Sequence, residues 1–270
     1  MAPDEHHDTA FVGSVPEQYE RLMVPLIFEE PARAMAHAVE VLRPEVALET
    51  AAGTGVVTRL LEPLVGVRLV ATDLNEPMLA TAQELDPSPR ITWEVADALD
   101  LPFDDDSFDL VVCQFGVMFF PDRIQAFREA ARVLQPGGHL MFTVWDRIEA
   151  NGVAHVVTEA LSEAGPEGPV DFLARTPHGH HDTELLNREL REAGFADVLT
   201  EPGDGTSRCT AEIGAIAYCH GTPLRAEIEA HPSLDLDGAT RIATEALVRR
   251  YGGGEFDAPT RWFLLEAELA

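Results

Sequence analysis

The sequence predicts an α/β fold with a seven-stranded, mostly parallel sheet, helices on both faces, and a helical lid inserted before the last strand. Three observations predict it. Short apolar runs alternate with helical periodicity from Pro31 to Trp145, which requires crossover connections and a sheet covered on both faces. The first run opens into a glycine-bearing turn that leads directly into a helix. Helical patterning at Ala211–Tyr218, Leu224–Ala230 and Ala239–Arg250 then separates the last two strand candidates.

Taken in order, Ala34, Ala38, Val41 and Leu42 recur at helical spacing over Pro31–Leu42, and Pro44 closes that segment. Val46-Ala47-Leu48 is the first strand, and Val56–Leu64 resumes helical periodicity. Val67–Thr72 reads as a buried strand ending at Asp73, followed by a helix over Pro77–Leu85. Ile91–Val95 is the third strand. Phe108–Phe115 is the fourth, entered through Asp104-Asp105-Asp106-Ser107, which reads as a solvated turn. Arg123–Leu134 is amphipathic and stops at Pro136-Gly137-Gly138, where glycine supplies a left-handed helix end. His139–Trp145 is the fifth strand. Thr183–Ala193 is a helix with Asp182 as N-cap and Gly194 as its stop. Phe195–Thr200 and Trp262–Ala267 complete the strands.

Charge narrows the function. Asp and Glu number 47 against 19 basic residues, a formal net charge of −28, and every base is Arg. Phosphate-backbone binding draws on clustered Lys and Arg, so nucleic acid is excluded as a partner. Anionic lipid is excluded on the same ground. The longest apolar stretch, Leu110–Phe120, is interrupted by Gln114 and falls short of the ~20 residues that span a membrane. The start, Met-Ala-Pro-Asp-Glu-His-His-Asp, shows no secretory signal. Cys113, Cys209 and Cys219 form no CxxC pair and leave one thiol over, as in a reduced cytoplasmic protein. A homodimer is left open.

The chemistry concentrates in Glu49-Thr50-Ala51-Ala52-Gly53-Thr54-Gly55, between the first strand and its helix. Glycines let the backbone approach a ligand closely, and the helix N-terminus presents N–H groups. Glu49 stands where a pyrophosphate-binding turn wants no negative charge. Asp73 ends the next strand, the position from which a carboxylate accepts from ribose hydroxyls. A nicotinamide-dependent dehydrogenase needs G-x-G-x-x-G, and Gly53-Thr54-Gly55-Val56-Val57-Thr58 lacks the third glycine. A negative group beside the turn suits a ligand that is cationic there, and S-adenosylmethionine fits.

With these residues the sequence resembles the class I S-adenosylmethionine-dependent methyltransferases, in particular the small-molecule group related to the ubiquinone/menaquinone-biosynthesis enzymes. The likeness runs from Tyr19 to Trp145. It is carried by the blocks Leu48–Gly55, Ala71–Leu79, Ala96–Phe103 and Phe108–Phe115, with support from Phe127–Leu140. It implies a Rossmann-like fold, S-adenosylmethionine as cofactor with S-adenosylhomocysteine as product, and a small-molecule acceptor. By that resemblance Ala51, Gly53, Thr54 and Gly55 shape the turn under the methionine moiety, and Glu49 helps hold its ammonium end through water. Asp73 binds the ribose diol, Leu74 and Met78 meet the adenine face, Asp97 accepts from the adenine amino group, and the Ala98 backbone meets the ring edge. Gln114 faces the methionine or transferable-methyl region, and Tyr19 and Phe28 belong to a segment folding over the cofactor.

The resemblance also implies one domain over 1–270, with an N-terminal helical cover at 1–45. A cofactor-binding half follows at 46–146, then a substrate-side half at 147–270 with a lid at about 206–257 that closes a partly apolar acceptor pocket. One departure stands out: the family has Gly where Ala51 stands, and a methyl group fits there if the backbone φ is negative. Methyl transfer by in-line displacement needs alignment more than signature residues. No catalytic residue is therefore assigned, and a non-catalytic cofactor-binding module remains the alternative. His155, His178, His180, His181 and His220 are the candidate bases for an acidic acceptor. His178, His180 and His181 read as loop histidines, not as a metal site. Phe115, Met118, Phe119 and Phe120 are either core or a wall of the site.

Overall fold

The computed structural model describes residues 15–165 and 168–270, so residues 1–14 of the expected N-terminal cover lie outside the described residues. The chain divides into two compact units. A sheet unit comprises Glu29–Val144, His181–Gly203 and Trp262–Ala270, and a helical unit comprises, of the described residues, those up to Phe28 and those within Trp145–His180 and Asp204–Arg261.

Seven strands form one sheet: β1 Val46–Glu49, β2 Arg68–Asp73, β3 Ile91–Val95, β4 Phe108–Gln114, β5 Leu134–Trp145, β6 Phe195–Thr210 and β7 Glu255–Leu269. Their order is β3-β2-β1-β4-β5-β7-β6. Strands β1 to β5 are all parallel. The sheet is mixed only through its last strands: His139 meets Glu266 while the Asp146 N–H donates to the Arg261 carbonyl, so β7 runs against β5. Between β1 and β4 the strand order reverses direction, and ligands of such sheets lie outside the carboxyl ends at that switch point.

Alternation along each strand sorts side chains to opposite faces. Ala47, Leu69, Ala71, Leu110, Val112 and Met141 share one face and a common core with Met35 and Val39 of helix Glu29–Leu42 and Val57 and Leu61 of helix Val56–Leu61. On the other, Phe127 of helix Arg123–Val133 packs on Phe142, ring centroids 5.4 Å apart. The Asp109 carboxylate accepts from the Glu45 and Val46 N–H groups at 2.8 and 3.1 Å, fixing where β1 starts beside β4. The acidic turn is tied down rather than merely solvated: Arg132 reaches Asp105 at 2.9 Å and the Phe103 carbonyl at 2.7 Å. Helix Arg123–Val133 ends one residue before the expected Leu134, which already pairs with Phe108; the register then shifts before His139 joins Leu110.

The helical unit contains a π-helix, Tyr19–Phe28, and helices Gly152–Ala164, Ala211–Gly221, Leu224–Ala230 and Leu236–Tyr251, with Ala215, Cys219, Ala243 and Leu247 buried. The three helices of the expected lid are present where the spacing places them. Its boundaries are not: Thr206–Thr210 belongs to β6 and Glu255–Asp257 to β7, so the helical part runs from Ala211 to Tyr251. The sequence hides β6 behind Pro202-Gly203-Asp204-Gly205, which reads as a loop. An edge strand tolerates proline and glycine, and β6 is the edge. Gly203 has a further reason, because a Cβ there would collide with the Trp262 indole. Gly203→Ala is expected to lower stability by about 1–3 kcal/mol, measured by urea unfolding. The loss should shrink in the Gly203→Ala/Trp262→Leu double variant.

Candidate functional site

The parallel strands of the sheet unit end side by side, and two acids stand at the tips of β1 and β2. Glu49 is the last residue of β1 and is 1% exposed. The Thr58 hydroxyl donates to its Oε2 at 2.5 Å, and the Thr72 hydroxyl donates to its backbone carbonyl at 3.0 Å. Burial pushes the Glu49 carboxyl up to about 8, against the opposing pull of the Thr58 hydroxyl and the Arg59 charge. Asp73, the last residue of β2, is also buried. Its Oδ2 accepts from the Gly53 N–H at 2.8 Å, and its Oδ1 accepts from the Asn75 N–H at 2.8 Å and Asn75 Nδ2 at 3.3 Å. Burial raises the Asp73 pKa, and these hydrogen bonds resist the rise.

The turn between them is shaped by left-handed backbone. Gly53 has φ +57° and Gly55 φ +80°, and a Cβ on Gly55 would press on the Trp93 ring at 2.7 Å. Ala51 has φ +52°, which corrects the expectation of a negative angle there. The Ala51 methyl therefore sits in a conformation that is strained for an L-residue by about 1–2 kcal/mol. Gly116 opposite leaves room for it, since a Cβ on Gly116 would fall 2.5 Å from the Ala51 methyl. Phe115, at the tip of β4, is left-handed as well, with φ +51°.

The remaining expected residues of the sheet unit surround this turn unevenly. Thr54 is buried, and its hydroxyl has no hydrogen-bond partner among the described residues. An orphaned buried hydroxyl beside a glycine turn calls for a polar ligand. Leu74, next to Asp73, is 57% exposed, an apolar surface open to a flat ring, whereas Met78 behind it is buried. Asp97 is exposed and its Oδ1 caps a local turn through the Leu99 N–H at 2.9 Å. Ala98 lines a cavity of about 10 Å³ with Thr50, Cys113, Val117, Phe120 and Phe127, room for one water at most. Gln114 ends β4 and is half-buried, paired in register with Thr143 of β5. Phe115 and Met118 are buried, while Phe119 and Phe120 are partly exposed.

Tyr19 lies in the helical unit, where its ring stacks on Phe28 at 4.9 Å, and Phe28 in turn lies 6.0 Å from Trp145. His178 of the same unit is buried, its Nδ1 2.8 Å from the Asp146 carbonyl and its ring 5.9 Å from Trp145. His155 pairs with Glu159 at 3.4 Å and His220 Nε2 with the Thr240 hydroxyl at 3.0 Å, burial lowering the His220 pKa. The histidines do not assemble: no group of three or more metal-ligating side chains exists among the described residues. Thr58, Thr72 and Asn75, which hold the two acids, were not singled out from sequence. The signal for Thr58 was available in its place one helical turn past Gly55.

A protein family described as a methyltransferase domain matches residues 48–142. The demethylmenaquinone methyltransferase of Clavibacter sepedonicus is 32% identical over 177 residues, covering 61% of this chain and 71% of that protein. The ubiquinone/menaquinone biosynthesis C-methyltransferase of Paracoccus denitrificans is 32% identical over 168 residues, covering 56% and 66%. Among solved structures, the YcgJ protein of Bacillus subtilis aligns with a TM-score of 0.57 at 18% identity, covering 89% of this chain and 98% of that one. Phosphoethanolamine N-methyltransferase 2 of Haemonchus contortus, solved with S-adenosyl-L-methionine, aligns with a TM-score of 0.54 at 18% identity, covering 96% and 60%. At such identity these structures establish the fold alone.

Two outcomes are expected of the ligand-free protein. Glu49 titrates near 4.5 when unfolded and near 8 when folded, so the stability its neutral form allows is full below 4.5 and is lost as pH rises through 8. Thermal unfolding should show a melting temperature that declines between about pH 5 and about pH 8, with a shallower decline in Glu49→Gln. Ala51→Gly should leave stability unchanged or raise it by up to about 1 kcal/mol, because the strain relieved offsets the added freedom of the unfolded chain.

Proposed function

Because the chain belongs to the class I S-adenosylmethionine-dependent methyltransferases, we propose that the tips of β1, β2 and β3 in its sheet unit hold the cofactor. The enzyme transfers a methyl group to a small-molecule acceptor and leaves S-adenosylhomocysteine. Bound S-adenosylmethionine supplies a sulfonium that already activates its methyl group, so the chain has to bind, orient and exclude water. The observation that carries the assignment is the pair of buried acids, Glu49 and Asp73, on either side of a left-handed glycine turn.

Each residue type fits the half of the cofactor assigned to it. Glu49 gives up its proton on meeting the cationic amino-acid end, and the resulting buried carboxylate attracts that end more strongly than an exposed one would. Asp73 keeps a lone-pair site on Oδ2, and gains a second on Oδ1 when the long Asn75 Nδ2 bond yields, so it accepts from the ribose hydroxyls. The Thr54 hydroxyl gains a polar partner, exposed Leu74 covers the adenine ring, and Asp97 with the Ala98 backbone meets its edge. Gln114, at the tip of β4, faces the methyl-bearing end. No residue is assigned as a base toward the acceptor.

A small acceptor, not a nucleic acid, suits a chain of net charge −28. Three free buried cysteines support a reducing, cytoplasmic setting. No helix among the described residues is long and apolar enough to cross a membrane. The names of the relatives make demethylated quinols the first acceptors to offer, followed by phenols and amines. Incubation with methyl-labelled S-adenosylmethionine should yield labelled product from one of these classes. Binding without product across such a panel would favour a non-catalytic module. Asp73→Asn should weaken cofactor binding about tenfold or more by calorimetry, and equal affinity would remove Asp73 from the site.

A further inference from the structure

We propose that Thr58 is a positioning residue, whose hydroxyl holds Glu49 as the carboxylate that meets the cationic end of the cofactor. The inference rests on the cofactor site proposed above. Thr58 lies in the first turn of helix Val56–Leu61 and is wholly buried. Its Oγ1 donates to Glu49 Oε2 at 2.5 Å, so one carboxylate oxygen is fixed from the helix side while the Thr72 hydroxyl pins the Glu49 backbone from β2. A hydroxyl at that distance acts on the charge state as well as the direction of the acid, because a donor favours the carboxylate over the neutral acid.

The charged and titratable groups around Glu49 leave this role to Thr58. Arg59, on the same helix, attracts the carboxylate, but its Nη1 donates to the Thr54 carbonyl at 2.6 Å. Asp73 on β2 repels it, and the Cys113 thiol on β4 is itself pushed up to about 12 by burial. Burial outweighs all of these and leaves Glu49 largely protonated near neutral pH when no ligand is bound. A cationic ligand therefore binds with loss of the Glu49 proton, and Thr58 lowers the pH at which that loss occurs. A threonine that served packing alone would have no influence on this pH dependence.

The test is calorimetric titration of the full chain with S-adenosylmethionine from about pH 6 to about pH 9. The proteins compared are wild type, Thr58→Val, Thr58→Ala as a second removal of the hydroxyl, and Thr58→Ser as its restoration. The ligand's own amino group titrates in this range at about 7.7–8.0, so the quantity read is the ratio of variant to wild-type Kd at each pH, in which that titration cancels. Near neutral pH, Thr58→Val and Thr58→Ala should bind about tenfold or more weakly. The ratio should close toward the alkaline end, and Thr58→Ser should follow wild type throughout. Unchanged affinity in both hydroxyl-free variants, or a deficit of the same factor at every pH, would overturn the role of Thr58 while leaving the site standing. Failure of the wild type to bind would overturn the site and this inference together.

Discussion

Two carboxylates withdrawn from water at neighbouring strand tips are the constraint around which the sheet unit is arranged. An ionised carboxylate in a low-dielectric surrounding is tolerated only with compensating hydrogen bonds or charge. Here the bonds come from neutral groups: Thr58 Oγ1 to Glu49, and the Gly53 N–H and Asn75 to Asp73. For the Gly53 N–H to reach across to β2, the chain must fold back immediately after β1. Positive φ at Ala51, Gly53 and Gly55 accomplishes that reversal. The helix that follows starts at Val56 and brings Thr58 over Glu49. Turn, helix start and both acids are thus one connected arrangement, and both acids keep raised pKa values that a cationic, hydroxyl-bearing ligand would relieve.

Much of this was legible in the residues, for physical reasons that differ from place to place. The parallel core strands β1, β2 and β4 are short apolar runs buried on both faces, so their limits fall within a residue or two of where composition changes. The helices over 224–230 and 236–251 keep a visible period because each buries one stripe, whereas the helix over 211–221 is apolar round most of its circumference. The long strands β6 and β7 read as shorter in the sequence because polar alternation, Pro202, Gly203 and Pro259 look like loop chemistry when the neighbouring strand is unknown. Trp262 over Gly203 is a pairing that only tertiary structure reveals.

The site was legible as a set of acids and glycines, but not as a geometry. Local pattern carries no information on the sign of φ at Ala51, which depends on Gly116 being opposite, far along the chain. Nor does it show that Asp97 is exposed and engaged in its own turn while Asp73 is buried. The acceptor is less legible still. The family match ends at residue 142, and every histidine except His139 lies outside it. A fold hosts many chemistries, so the shared segment does not name the acceptor.

The account stands on the claim that Glu49 and Asp73 clasp opposite halves of one cofactor. A crystal structure of the protein with S-adenosylhomocysteine tests it most directly. The account requires ribose hydroxyls within about 3 Å of the Asp73 carboxylate, and the ligand's amino group joined to Glu49 directly or through a single water. Density for the ligand away from the β1 and β2 tips, or lying there with neither acid engaged, would contradict it.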